Sequence, residues 1–307
     1  MRVEFPDLCR RPLNHESAAW HRATLRFQIR DGSVSSAGMT FLELLALFCS
    51  ALAAGAINAV AGGGTLLTFP ALLFTGTGAV VANATSSFAL TLGTAGSLFG
   101  FRNQWSNTKV WLRRFVPVSI VASLLGSWLV KVQGEAVFVR VVPWLLLFAT
   151  ALFLVQGPLK RWRERRLRKT SATGIPDASS PAMEGMGLSV GACIVLQALV
   201  AFYGGYFGAG IGILMLAVMG FMGMADIHQM NALKNLLAAV INGTAAVFFA
   251  LTGLVDWPRM TVMLGGAVIG YWLGAHYSQK IPQAVVRGIV VTVGCTLSAV
   301  MLAKIYF

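Results

Sequence analysis

Charge is scarce in this sequence, and acidic charge most of all. Of 307 residues only 11% are charged, where a soluble domain carries about 25%. Aspartate and glutamate together number 11, against 24 lysines and arginines. Residues 44–101 and 185–225 contain no charged side chain. Each stretch outlasts the roughly 20 apolar residues that cross a bilayer, which excludes an ordinary soluble domain. Cysteine and histidine are thin as well. Cys9, Cys49, Cys193 and Cys295 lie far apart with no CxxC pair, and the four histidines fall in no ligand spacing. That removes a disulfide framework and a metal centre, and leaves the cysteines as small apolar fillers. Glu43, near the start of the first apolar run, is the one acid clearly within a span region. An intramembrane enzyme needs paired acids, histidine ligands or an HExxH helix, so no catalytic residue is expected. A GxxxxGK(S/T) loop is missing too, so the chain hydrolyses no ATP, and no cofactor is expected.

Apolar and small residues are plentiful instead. Hydrophobic residues make up 56% of the chain, and there are 33 glycines. Small residues let helices approach closely in lipid. Apolar runs near 41–61, 79–101, 115–131, 137–156, 186–207, 229–252, 260–278 and 285–304 predict about eight transmembrane helices. The fold class is an all-α polytopic membrane protein. Two further pieces, "TLLTFPALLFTG" and "ILMLAVMGFMG", follow glycine clusters and are too short for a straight crossing. They read as re-entrant or broken helices.

Basic residues give the orientation. The 102–114 loop carries Arg102, Lys109, Arg113 and Arg114, and "GPLKRWRERRLRKT" opens the 157–184 loop with seven basic residues and one acid. Both loops are expected in the cytoplasm, and eight crossings then place both termini there too, with the chain in the cell inner (plasma) membrane. The net charge of +13 reports that topology and contact with anionic membrane lipids, not a nucleic acid partner. Residues 1–38 hold six arginines and no apolar core of about 7–15 residues, so they form no secretory signal. They are a disordered basic tail or, if translation begins at Met39, absent from the mature protein. The expected organisation is 1–38 extension, 39–156 first transmembrane repeat, 157–184 basic cytoplasmic linker and 185–307 second repeat. A homo-oligomer is compatible with all of this.

The repeat rests on an ungapped shift of 148 positions. Gly62 falls on Gly210, Gly64 on Gly212, Leu66 on Leu214, Ala84 on Ala232, Phe101 on Phe249 and Gly126 on Gly274. The chain thus reads as two related four-helix halves, each with a glycine-rich broken helix. Four crossings per half give a parallel repeat; if the short pieces also cross, each half has five and the repeat is inverted. The charge pattern favours the parallel arrangement.

Glycine-interrupted apolar helices in matching places mark a transport site. Breaking a helix in lipid frees backbone N–H and C=O groups, which is tolerated only where they line a cavity or hold a ligand. The N-terminal end of a half-helix is positive and suits an anion. Gly62, Gly63 and Gly64 in "NAVAGGGTLLTFP", and Gly208, Gly210 and Gly212 in "GGYFGAGIGILML", are the candidates. The next span of each half carries polar groups: Thr85, Ser86 and Ser87 in the first, Asn231, Lys234, Asn235 and Asn242 in the second. The shift lays Ser86 on Lys234, Ser87 on Asn235 and Thr94 on Asn242. Asn231, Asn235 and Asn242 share one helical face, and Lys234 borders it. A charge near the bilayer centre costs about 2.5–3.5 kcal/mol on insertion scales, so Lys234 is expected to meet an anionic solute. The competing reading is that Lys234 snorkels to the interface.

"GAINAVAGGGTLLTFPALLFTG" with "ANATSS", and "GAGIGILMLAVMGFMG" with "NALKNLLAAVINGTAAVFFALTGLVDW", resemble the sulfite exporter TauE/SafE family of membrane permeases over about residues 41–304. The resemblance implies transport of a small sulfur-containing anion, such as sulfite or an organosulfonate, across the cytoplasmic membrane. It also places Asn58, Pro70 and the first-half glycines, Thr85, Ser86 and Ser87 in the shared region of the first half, and Gly208, Gly210 and Gly212 in that of the second. A non-transporting scaffold or assembly protein is the alternative, and an intramembrane enzyme the weaker one.

Overall fold

The computed structural model of this chain describes residues 39–60, 63–98, 109–172, 189–221, 224, 227–277 and 283–306. The 1–38 extension, Gly62 and the later part of the 157–184 linker lie outside them. Among the described residues the regular elements are helices: α1 Phe41–Val60, α2 Thr65–Phe74, α3 Ala79–Leu98, α4 Lys109–Ala172, α5 Val190–Tyr206, α6 Ile211–Phe221, α7 Ile227–Leu251, α8 Trp257–Tyr277 and α9 Gln283–Tyr306. Local sequence explains their ends. Thr40 and Glu43 form a capping box before α1, each side chain accepting the other's backbone N–H, at 3.3 and 3.0 Å. α2 closes on Gly76 (φ 77°), with Gly76 N–H donating to Leu73 and Thr77 N–H to Leu72, the Schellman pattern. Ser189 accepts the Ala192 N–H and caps α5. α4 breaks at Gly134, whose backbone (φ 71°, ψ 178°) no other residue adopts readily. The break turns α4 into two limbs.

Phe41–Ala59, Trp111–Val155, Leu233–Leu251 and Gly288–Ile305 are long and apolar enough to cross a membrane. The second of these, at 45 residues, has the length of two passes and contains the Gly134 break. Large apolar side chains such as Leu125, Trp128, Trp144, Leu199 and Trp272 are exposed around the bundle, as lipid contact requires and water would not allow. The helices are held together by close backbone approach. A methyl group on Gly266 would lie 2.4 Å from the Phe48 carbonyl oxygen, and one on Gly270 2.1 Å from that of Leu52. On α5 a methyl on Gly205 would lie 2.1 Å from the Ser123 carbonyl. These are small-residue interfaces of the membrane type, tied by Ser123 Oγ donating to Ile241 (2.8 Å) and Ser127 Oγ to Gly205 (2.9 Å).

Those contacts fix helix direction. On α1 and α8 the touching residues ascend together: Phe48 at Gly266, Leu52 at Gly270, Ala56 at Gly274. The two helices therefore run parallel. α3 runs with them, Thr85 meeting Asp256 and Gly93 meeting Ala267 and Tyr271. α5 runs with the first limb of α4, Gln197 meeting Ser119 and Gly205 meeting Ser123 and Ser127. Glu135, at the foot of that limb, accepts the Ala79 and Val80 N–H groups at the start of α3. The first limb and α5 therefore run against α1, α3 and α8.

α1 and α5, like the first limb of α4 and α8, occupy matching places under the 148-residue shift, and they run in opposite directions. The parallel arrangement favoured by the charge pattern differs from this. The physical reason is that the short helices reverse the chain: α2 starts with Gly64 beside Ala54 and ends with the Thr75 carbonyl at Arg259, the foot of α8. One consequence concerns orientation. The start of α1, Gly134 and Asp256 stand at one end of the bundle. The end of α3 and the start of α4, which flank the basic 102–114 loop, stand at the other. The two features expected together in the cytoplasm are thus separated.

Candidate functional site

The two glycine turns meet. Gly63 holds φ 100°, and a methyl on it would lie 2.0 Å from Phe153 Cζ. Gly210 holds φ 78°, and a methyl there would lie 3.8 Å from Phe153 Cε2. Phe153, fully buried in the second limb of α4, thus touches the loop before α2 and the loop before α6. Both short helices begin at that ring, so two positive helix ends converge on one buried locus. Phe69 of α2 and Phe207, in the turn before α6, pack edge to face at 5.6 Å and join the turns on another side.

The first turn is braced by neutral groups. Asn58 Oδ1 accepts the Gly64 N–H at 2.7 Å, satisfying a donor at the start of α2. The hydroxyls of Thr68 and Ser86 pair at 2.5 Å and tie α2 to α3. The Tyr271 hydroxyl of α8 faces the side chains of Asn58 and Thr94. In the second turn Tyr203 donates its hydroxyl to the Ala209 carbonyl at 2.7 Å. A methyl on Gly208 would lie 3.6 Å from Asn242 Oδ1, and one on Gly212 3.5 Å from Lys234 Cδ. Lys234 is therefore packed along the first turn of α6, half-buried, and makes no ion pair among the described residues. An ammonium stem beside a positive helix end puts two like charges together, with no carboxylate between them among the described residues.

Of the residues expected at a site, Asn58, Gly63, Gly64, Ser86, Gly208, Gly210, Gly212, Lys234 and Asn242 fall at or beside the two turns. Asn235 is half-buried on the same helix as Lys234. Ser87 is half-buried on α3, its carbonyl accepting the Thr91 hydroxyl. Thr85 sits elsewhere: its hydroxyl accepts the Asp256 N–H at 2.9 Å and so belongs to the foot of α8. Gly62 and the Asn231 side chain lie outside the described residues.

Several contributors carry no sequence signal. Phe153 and Thr68 stand in unremarkable apolar runs. Asp256 and Arg259 form a largely buried ion pair, with Arg259 also donating to the Thr75 carbonyl at 3.3 Å. Their spacing of three within "DWPR" was the available hint. Among the described residues no cluster of His, Cys, Asp or Glu could hold a metal.

Comparison with known proteins adds the following. The family model described as "Sulfite exporter TauE/SafE" matches residues 47–301. A Haemophilus influenzae protein named "Probable membrane transporter protein" is 28% identical over 265 residues, covering 85% of this chain and 95% of its own. The Escherichia coli K12 "Probable membrane transporter protein YfcA" is 29% identical over 263 residues, 85% of this chain and 90% of its own. A Sinorhizobium "Probable membrane transporter protein ORF9" is 23% identical over 270 residues, 86% and 94% of the two chains. No solved structure matches.

Proposed function

This chain belongs to the sulfite exporter TauE/SafE family, and from that premise we propose that it is a secondary transporter moving a small sulfur-containing anion, such as sulfite or an organosulfonate, across the cytoplasmic membrane. The family and the names of its relatives point to a membrane transporter rather than an enzyme. The finer reading is carried by one observation: Lys234 lies along the first turn of α6, a positive side chain beside a positive helix end, and makes no ion pair among the described residues. Two like charges in a dehydrated place repel, and an anion between them turns repulsion into two favourable contacts. Sulfite and sulfonates suit such a place, because their oxygens accept several hydrogen bonds while their charge is delocalised. Asn235 and Asn242 would supply polar contacts, and the N–H groups around Gly210 the rest. The driving force is an ion gradient or the solute's own gradient.

Orientation follows from the basic loops. With 102–114 and 157–184 in the cytoplasm, the start of α1 and the Asp256–Arg259 pair face outward. The test of the function is solute flux in reconstituted vesicles with sulfite, sulfoacetate, taurine and acetate. Flux of sulfite or sulfoacetate above that of acetate is expected, lowered about tenfold or more in Lys234→Ala, as loss of one charged hydrogen-bond donor predicts. Equal flux of all four solutes, or full activity in Lys234→Ala, would contradict the reading.

A further inference from the structure

Phe153 belongs to no polar cluster and no motif, yet it occupies the place where the two glycine turns come together. Its ring is fully buried. A methyl group on Gly63 would lie 2.0 Å from its Cζ, so any side chain at 63 would force the ring to move. The same ring edge, at Cε2, would lie 3.8 Å from a methyl group on Gly210, ordinary van der Waals contact. A solute held at one positive helix end therefore finds an apolar ring between it and the other. We propose that Phe153 is the plug of the solute path: at rest it closes the gap between the two turns, and its size sets the largest solute that passes. This rests on the transporter reading above.

Three physical features fit that role. A hydrophobic constriction blocks ions by excluding water rather than by binding them. The ring's rim, which carries the positive part of the aromatic quadrupole, faces the Gly63 turn, so the plug does not repel an anion waiting there. The residues facing the ring from both turns are glycines, which put no Cβ in the way when the ring swings.

The experiment compares wild type, Phe153→Ala and Phe153→Leu in vesicles, measuring uptake of sulfite and of the bulkier benzenesulfonate. Wild type is expected to favour sulfite. Phe153→Ala is expected to narrow the sulfite-to-benzenesulfonate ratio about tenfold or more, the discrimination a hydrophobic pocket gains from roughly one methylene of fit. Phe153→Leu keeps the core filled and should narrow it less, in the same direction; it decides the matter if the alanine variant does not fold. An unchanged ratio in the variants, with wild type still carrying sulfite, overturns the role of Phe153 and leaves the transporter reading intact. No anion flux above empty vesicles in any of the proteins sinks both.

Discussion

The two glycine turns are built alike and finished differently. The first is closed and neutral: Asn58 caps Gly64, Thr68 pairs with Ser86, and Gly63 is pressed against Phe153. The second is braced by the hydroxyl of Tyr203, and carries an ammonium with no ion pair among the described residues where the first carries a serine. The shift that lays Ser86 on Lys234 thus exchanges a satisfied hydrogen bond for a charge. One turn works as a fixed wall and the other as a wall with a vacancy for negative charge. A lysine held among apolar helices in a membrane is expected to have an anionic group to answer it.

Substitutions can break this contrast at several strengths. The largest effect is expected from Gly63→Ala. It forces an L-residue into a positive φ and drives a methyl into the Phe153 ring, a loss of about 2–5 kcal/mol, visible as a collapse of melting temperature in detergent. Gly212→Ala, at the start of the second short helix, meets only the flexible Lys234 stem at an ordinary contact distance and should shift melting by under about 1 kcal/mol. Equal damage from the two would erase the distinction between closed and open turns. Asn58→Ala removes the acceptor of the Gly64 N–H and should cost about 1–2 kcal/mol, read by the same melt. Tyr203→Phe and Ser86→Ala each remove one neutral hydrogen bond and should cost about 1 kcal/mol or less, with flux close to wild type. A Ser86→Ala variant as inactive as Lys234→Ala would mean that both walls bind the solute equally.

Topology offers a separate check. Single cysteines placed after Gly76 and within the 102–114 loop should react with a membrane-impermeant thiol reagent from opposite sides, the first from outside. Labelling from one side would overturn the helix directions.

Much of this was legible beforehand. Charge-free runs gave the helical membrane class, because the bilayer's demand on composition is severe. Glycine clusters gave the broken helices, because backbone freed in lipid leaves few residue choices. Lys234 was visible as an anomaly in an apolar helix. The helix directions were not: charge counting treats short helices as loops, and α2 and α6 carry no charge. Phe153 was invisible because its role comes from what two distant glycines leave open. Thr85 is adjacent to Ser86 in sequence, but a helix turns adjacent residues to different faces, and its hydroxyl meets Asp256 rather than the Thr68–Ser86 pair. It serves the foot of α8 instead.

The most direct measurement is the melting temperature of purified protein with and without sulfite, for wild type and Lys234→Met. An anion bound to the folded state at a hundred times its dissociation constant adds about 2.7 kcal/mol of stability. Wild type should melt higher with sulfite. Lys234→Met, freed of an unpaired charge, should melt no lower than wild type without the anion and should show no sulfite response. An equal sulfite shift in both proteins would contradict the account.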